Sequence, residues 1–460
     1  MFQAALKRAA GKGHHEDMML NSKVQSGEEG QSVWLVSEGG SAFSAASVLV
    51  CSDVVALVLS ASIAQLLFGP FTALSGVLAF VGAQSFVLGL ALVGLYPGRG
   101  VWGPERIRMR GLMVLISFLS PGMAGLLLQL RGINIGAMEC TTVGILAFFF
   151  ASFLEIIAIR IADSLGWWRS RVAFVGDDAH NDCLKRNLAL YPELGWELVE
   201  ESGPMTFDMR LSFSPSTANV TGGLGTFACD PSFLAAFYRS GSQAILHGSF
   251  GRGSSASKAV KRVMDIFGAA GALMISIPVW AAVAVAIYLV DNRPIFFRQP
   301  RGGLEGRVVH VLKFRSMYRD AQEKLEHLLA EDPEAREEWN RHCKLNDDPR
   351  ILPKIGSFIR RTSIDEIPQF WNVLKGDMSL VGPRPFPENH LTMFSQEFQN
   401  IRSSVLPGLS GLLQVTLRSN AELSVQEQVD RTYIDSWSIW LDLYILFRTP
   451  VALICAEGAR

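Results

Sequence analysis

The run Ile266-Phe-Gly-Ala-Ala-Gly-Ala-Leu-Met-Ile-Ser-Ile-Pro278-Val-Trp-Ala-Ala-Val-Ala-Val-Ala-Ile-Tyr-Leu-Val290 carries no charge. At about 1.5 Å per residue, a helix of this length would cross a hydrocarbon core of about 30 Å. Two features argue against a simple crossing. Lys258, Lys261 and Arg262 precede the run and Arg293, Arg298 and Arg301 follow it, whereas a crossing segment favours cations on one side. Pro278, in the middle, removes a backbone hydrogen bond and clashes one turn back. The pattern predicts a helix over 266–290, kinked at Pro278, that enters and leaves the membrane on the cytoplasmic face. The alternative is a kinked spanning helix, which would put everything downstream outside the cell.

Upstream, apolar stretches near 45–69, 71–96, 111–130 and 134–159 are each long enough to span, and predict a four-helix transmembrane unit over 45–162. Asp53, Glu139 and Glu155 interrupt them; acids are costly in lipid, so these are expected in the bundle interior or near a helix end. Arg99, Arg106, Arg108 and Arg110 are read as a basic loop over 97–110. With a basic N-terminal tail, and Arg160, Arg169 and Arg171 after the fourth helix, this places both ends in the cytoplasm. Arg131, in the third connection, runs against that pattern. Residues 1–44 lack an apolar run followed by a small-residue cleavage site, and are expected to be a disordered cytoplasmic tail.

Composition agrees. A hydrophobic share of 49% with 18% charged residues over 460 positions, and a positive mean hydropathy, indicate a membrane protein with soluble parts. Lys plus Arg number 42 against 43 acids, a net charge of −1, so no global basic field argues for nucleic acid. The six cysteines are scattered without metal-ligand spacing, which excludes a disulfide framework or zinc site as an organising feature.

The segment 165–250 opens with a strand-like run Arg171-Val-Ala-Phe-Val175 leading into Gly176-Asp177-Asp178, then a helix pattern near 180–190 and a second strand at 196–200. It predicts a small, degenerate Rossmann-like α/β domain. A working dinucleotide site wants G-x-G-x-x-G at that first turn, and one glycine followed by two acids disfavours phosphate. Residues 248–257 read as a flexible linker.

The remainder, 258–460, holds the residues that could do chemistry. Arg301, Lys313 and Arg315 sit among apolar anchors; they could line a lipid headgroup rim or grip a phosphorylated substrate. A charged pattern over 319–342 predicts a solvated helix hairpin broken at Pro333. The densest segment contains Asp348-Pro-Arg350, Arg360-Arg-Thr-Ser-Ile-Asp-Glu-Ile-Pro-Gln369 and Gly382-Pro-Arg-Pro385. Pro368 suits a first helical turn, so Asp365 and Glu366 are expected at a helix N-terminus, where the dipole keeps a carboxylate ionised. Ser363-x-x-Glu366 also fits a capping box with no catalytic role. A final pattern over 433–447, with Trp437, Trp440 and Tyr444 at helical spacing, is read as an amphipathic interfacial helix, with an ordinary core helix as the alternative.

Several motifs occur in order: Lys261-Arg-Val-Met-Asp265, Phe297-Arg-Gln with Arg301 and Gly302, Lys313-Phe-Arg-Ser-Met317, Asp348-Pro-Arg350, Arg361-Thr-Ser-Ile-Asp-Glu-Ile-Pro-Gln-Phe-Trp-Asn-Val-Leu-Lys-Gly-Asp-Met-Ser-Leu-Val-Gly-Pro-Arg-Pro385, Pro407-Gly-Leu-Ser-Gly411 and Asp430-x-x-Tyr433-Ile-x-x-Trp437. With these, 261–449 resembles the bacterial sugar transferase family, monotopic phosphoglycosyl transferases. The four-helix unit, the degenerate nucleotide-fold domain and Leu95-Tyr-Pro-Gly98 are similar to its long subgroup, which transfers galactose or glucose 1-phosphate to undecaprenyl phosphate. Two departures are visible. The family often has Ser directly before the kinking proline, where this chain has Ile277, and a common Trp is Leu413 here.

The resemblance implies a mainly helical catalytic domain over 258–460 with a re-entrant helix 266–290. It implies transfer of hexose 1-phosphate from a UDP-sugar to undecaprenyl phosphate through a sugar-phosphoryl aspartate, releasing UMP and initiating exopolysaccharide, capsule or O-antigen assembly. Asp365 would be the nucleophile and Glu366 the protein ligand of Mg²⁺, with Arg315, Lys313, Arg350, Arg384 and Arg301 as phosphate or nucleotide contacts. It places the protein in the bacterial inner membrane, with the catalytic domain cytoplasmic, as a homodimer that binds membrane lipid and no nucleic acid. N-acetylhexosamine 1-phosphate transfer, or a membrane scaffold with an inactive transferase domain, remain as alternatives.

Overall fold

The computed structural model describes residues 39–96, 98, 101–123, 137–175, 194–199, 209–212, 255–333, 336–337, 348, 350–353, 355–416 and 423–454. The N-terminal helices are α1 (Gly39–Phe68), α2 (Ala73–Leu92), α3 (Gly103–Val114) and α4 (Ala137–Ser164). Thr72 caps α2 by accepting from the Ser75 amide. Helix α3 starts with Pro104 in its first turn and continues through a π-helical turn, Leu115–Leu119. The expected basic loop over 97–110 is therefore corrected, because residues 103–110 are helical.

The physical reason lies across the bundle. Arg106 Nε donates to Glu155 Oε1 at 2.8 Å, and Arg110 Nη2 lies 3.1 Å from Asp53 Oδ2 and also pairs through Nη1 with Glu155. Tyr96 Oη donates to the same Asp53 oxygen at 2.5 Å. Two acids that are costly in an apolar bundle thus neutralise two arginines, and all four side chains are buried. Asp53 and Glu155 take the interior positions expected of them, and Glu139 lies in the first turn of α4.

Among the described residues, four helices are long and apolar enough to cross a membrane, and the expected span near 111–130, partly outside those residues, is not one of them. The four are 44–68, 73–92, 137–164 and the later helix 255–291. Between the bundle and that helix, β1 (Ser170–Val175), β2 (Trp196–Val199) and β3 (Met209–Ser212) form a parallel sheet in the order β2-β1-β3. The Gly176-Asp177-Asp178 turn and the pattern near 180–190 lie outside the described residues.

Helix α5 (Ser255–Asp291) runs as one element through Pro278. It begins before the predicted 266, and takes in the last residues of the expected linker. Ser276 Oγ donates to the Leu273 carbonyl at 3.0 Å, one turn ahead of the proline. The first turns are held by side chains: Lys261 Nζ donates to the Val381 carbonyl, Arg262 donates to the Val373 and Leu374 carbonyls, and Asp265 Oδ1 accepts from Ser379 Oγ and the Leu380 amide. After α5 come the antiparallel pair β4 (Phe296–Gly302) and β5 (Val308–Phe314), then α6 (Ala321–Glu331), which ends before Pro333 as expected.

The rest packs around a short parallel pair, β6 (Ser379–Val381) and β7 (Gly408–Ser410). A side chain at Gly408 would collide with the Gly382 backbone, so glycine is required where the two chains meet. Leu413, at the position of the family's common Trp, is buried in this core.

The expected single helix over 433–447 is two, α12 (Leu423–Asp435) and α13 (Ile439–Ile454). Between α6 and α12 run α7 (Ile355–Arg361), α8 (Gln369–Lys375), α9 (Glu388–Leu391), α10 (Gln396–Arg402) and α11 (Leu412–Thr416). Helix α13 is a core helix, which corrects the interfacial reading. Its Asp442 is fully buried and accepts from Lys261, Tyr433 and Trp437. Its aromatic face is covered by the N-terminal bundle. Tyr444 packs on Gly103 and Trp440 on Gly111, where a methyl group would crowd the rings, and Phe447 lies 6.0 Å from Phe148.

Candidate active site

Asp365 and Glu366 lie in a 3₁₀ turn, Ile364–Glu366, between α7 and α8. The chain reverses at Ser363, whose φ of 57° is left-handed. Such a conformation costs a non-glycine residue about 1–3 kcal/mol and persists only where the surroundings enforce it. The Ser363 side chain makes no capping hydrogen bond, so the capping-box reading is corrected and the two acids remain available to other partners. Pro368 then directly precedes α8, as its missing N–H permits.

Helix α8 is fixed against β5 by one side chain. Asn372 accepts from the Leu312 amide at 2.9 Å and donates to the His310 carbonyl at 2.9 Å, so it completes the strand edge as a neighbouring strand would. This sets the 3₁₀ turn beside Lys313. Lys313 Nζ donates to Glu366 Oε1 at 2.9 Å and lies 3.6 Å from Asp365 Oδ2. From the turn after β6, Arg384 Nη2 donates to the same Glu366 oxygen at 2.7 Å. Arg301 shares a hairpin face with Lys313 and reaches the Pro385 carbonyl at 3.4 Å and Gln299 Oε1 at 2.6 Å.

The two carboxyls are driven apart in acidity. Burial pushes Glu366 upward, but Arg384 and Lys313 outweigh it and hold the group down at about 2. Burial pushes Asp365 up, Lys313 opposes it, and the adjoining Glu366 charge adds to the rise. Its side chain keeps 14% exposure, so an incoming group can reach it. Burial and the like charge of Arg384 bring Arg301 down to about 10, with Glu366 opposing. Arg360, which no motif singles out as a phosphate contact, also acts on Asp365 and favours its charged form. Four cations thus act on two carboxylates, an excess of positive charge suited to phosphate oxygens.

Lys313, Arg301, Arg384, Asp365 and Glu366 come together as expected. Arg315 and Arg350 do not join them. Arg315 is buried, donates to the Asp291 and Asn292 carbonyls and pairs with Asp291, so it fastens the end of α5. Arg350 pairs with Asp348 two residues away, closing its own turn. The partner of Arg315 lies 24 residues away in sequence, whereas that of Arg350 stands in the Asp348-Pro-Arg350 motif itself.

No cluster of three or more His, Cys, Asp or Glu side chains capable of holding a metal occurs among the described residues. Both cation partners of Glu366 take Oε1, and neither holds Oε2. That donor set fits a hard ion that keeps its waters and completes its shell with substrate phosphates.

Residues 256–456 match the family described as bacterial sugar transferase. The chain is 39% identical over 203 residues to the undecaprenyl-phosphate galactose phosphotransferase of Salmonella typhimurium, covering 44% of this chain and 42% of that protein. It is 34% identical over 203 residues to the UDP-glucose:undecaprenyl-phosphate glucose-1-phosphate transferase of Escherichia coli, covering 43% and 40%. With the exopolysaccharide production protein ExoY of Rhizobium meliloti, 34% identity over 200 residues covers 43% of this chain and 87% of the relative. The chain therefore spans less than half the length of its longer curated relatives and most of a short one.

Proposed function

The chain belongs to the bacterial sugar transferase family, and from that premise we propose that it transfers hexose 1-phosphate from UDP-galactose or UDP-glucose to undecaprenyl phosphate, initiating a polysaccharide. The observation that carries this reading is the convergence of Lys313 and Arg384 on Glu366 beside the partly exposed Asp365. The printed names of the relatives support the donor and acceptor classes.

An Asp365 carboxylate oxygen attacks the β-phosphorus of the donor. The bond from that phosphorus to the bridging oxygen breaks, and UMP departs with the oxygen. A phosphate oxygen of the polyprenyl acceptor then attacks the phosphorus now held on Asp365, which restores the carboxylate and leaves a sugar diphosphate on the lipid. Splitting the transfer lets a water-soluble donor and a membrane-bound acceptor use one nucleophile in turn. Lys313 holds both carboxyls in place, and Arg384 and Arg301 offer planar forks to the diphosphate. Glu366, with the diphosphate, would hold Mg²⁺, which supplies charge neutralisation for the departing UMP.

The acceptor requires the site to meet the membrane. Both halves of α5 bind the same unit: Asp265 and Ala269 pack toward β6, and Val283 and Ile287 pack with Ile359 and Ile364. That supports a helix that returns to the face it left, with the catalytic unit on the cytoplasmic side of the inner membrane. Phe297, opposite Lys313 in the hairpin register, and Phe358 in α7 are exposed apolar rings that suit lipid contact.

The test is UMP release from a panel of UDP-sugars with undecaprenyl phosphate and Mg²⁺. Release with a UDP-hexose, lost in Asp365→Asn, is expected. Folded protein that releases UMP from none of them refutes the proposal.

A further inference from the structure

Arg384 does not set its own position. Helices α10 and α12 grip the turn that carries it from behind. Arg402, at the end of α10, donates through Nη2 to the Arg384 carbonyl and through Nε to Asp430 Oδ2 at 2.9 Å, and its guanidinium stands 4.0 Å over the Phe386 ring. Three residues on from Asp430 along α12, the single Tyr433 hydroxyl proton is shared between the Val381 carbonyl at 3.1 Å and Asp442 Oδ1 at 2.9 Å. One helix face thus holds both ends of the Val381–Phe386 turn, directly by Tyr433 and through Arg402 by Asp430. The Arg402–Asp430 pair is buried, 7% and 3% exposed at the side chains. Burying an ion pair this deeply rarely adds stability over apolar packing, whereas a planar fork that bonds two partners at once fixes geometry.

We propose that Arg402, locked by Asp430, is the positioning residue for Arg384, aiming its guanidinium at Glu366 and at the donor diphosphate. This rests on the transferase reading above, in which Arg384 grips that diphosphate. A lysine at 402 keeps the charge but cannot bond the Asp430 carboxylate and the Arg384 carbonyl in the same plane. An asparagine at 430 removes the charge that turns Arg402 toward the carbonyl.

A double-mutant cycle separates positioning from general support of the fold. In the full-length protein, Arg402→Lys is expected to lower kcat/KM for UMP release on the order of 100-fold, the scale on which a misplacement of about 1 Å acts. In the Arg384→Gln background the same change is expected to cost less than about threefold, because its target is gone. Equal losses with and without Arg384, or no loss in Arg402→Lys, overturn the proposal. Phe386→Leu removes the ring beneath the guanidinium, with its stacking on His390 and Phe394, and leaves both hydrogen-bonding partners of Arg402 in place; run through the same cycle, it carries the test where Arg402→Lys or Asp430→Asn reduces the yield of folded protein. The four proteins compared by calorimetry for UDP affinity give the same cycle without turnover. A wild-type protein that binds UDP but releases no UMP therefore refutes the transferase reading alone.

Discussion

Lys313 Nζ stands 3.6 Å from Asp365 Oδ2, close enough to favour the carboxylate without capturing it, since its hydrogen bond goes to Glu366 at 2.9 Å. Burial raises Asp365 above its ordinary 3.8, and Lys313 is the chief force pulling it back. Removing the ammonium in Lys313→Met therefore raises Asp365 further. Attack needs the ionised form, so the acid limb of kcat/KM for UMP release, at fixed Mg²⁺, is expected to move to higher pH. In the wild-type protein Glu366 is held at about 2 by Arg384 and Lys313 and adds no limb of its own; in Lys313→Met it rises as well, with Arg384 still paired to it. An acid limb that stays in place in Lys313→Met contradicts the assignment of the limb to Asp365.

Arg384 and Arg315, both expected to contact phosphate, do different things. Arg384→Gln removes a fork aimed at the site and is expected to lower kcat/KM by about 10²–10³-fold, as for loss of one preorganised donor. Arg315→Gln loosens the end of α5, so it is expected to lower the unfolding temperature while the folded fraction keeps its kcat/KM. Steady-state kinetics alongside thermal unfolding distinguish the two; equal kinetic losses would return Arg315 to the site.

The buried Arg106–Glu155–Arg110–Asp53 cluster holds α3 between the bundle and α13. Glu155→Ala leaves two guanidinium groups underneutralised, and is expected to destabilise by about 3–5 kcal/mol, as for a buried pair stripped of one partner. Unfolding in detergent reads it. A change within about 0.5 kcal/mol, the range of a surface substitution, would mean that water or lipid reaches the cluster.

In the proposed reaction Mg²⁺ would take one protein carboxylate, Glu366, which holds Lys313 and Arg384 on one of its oxygens. Calorimetry is expected to find weak Mg²⁺ binding to the protein alone and tighter binding once UDP is present, because phosphate oxygens complete the shell. EDTA is expected to abolish UMP release and added Mg²⁺ to restore it. Tight binding without nucleotide would place the ion elsewhere.

Much of the site was legible because its residues fall in short, ordered motifs: Asp365 and Glu366 sit where Pro368 puts them, and Arg384 lies in a proline-fixed turn. The apolar stretches near 45–69, 71–96 and 134–159 marked long helices for the same local reason. What failed was long-range. Arg106 and Arg110 look like loop cations until Asp53 and Glu155 are seen across the bundle, tens of residues away in sequence. Trp440 and Tyr444 have the spacing of an interfacial helix, and only the glycines at 103 and 111 of a distant helix show that protein covers them. Arg315 shares its motif with Lys313, and two positions along a strand would put both side chains on one face, but β5 ends at Phe314 and the chain beyond it carries Arg315 to Asp291. Ser363 and Glu366 matched a capping box by spacing, and the left-handed backbone at Ser363 undid it.

The most direct test of the central claim is the mass of the protein after exposure to a UDP-hexose and Mg²⁺ with no lipid acceptor. One hexose phosphate is expected on the peptide containing Asp365, absent from Asp365→Asn and discharged when undecaprenyl phosphate is added. UMP release by the wild-type protein with no such adduct, or an adduct on another residue, would contradict Asp365 as the nucleophile.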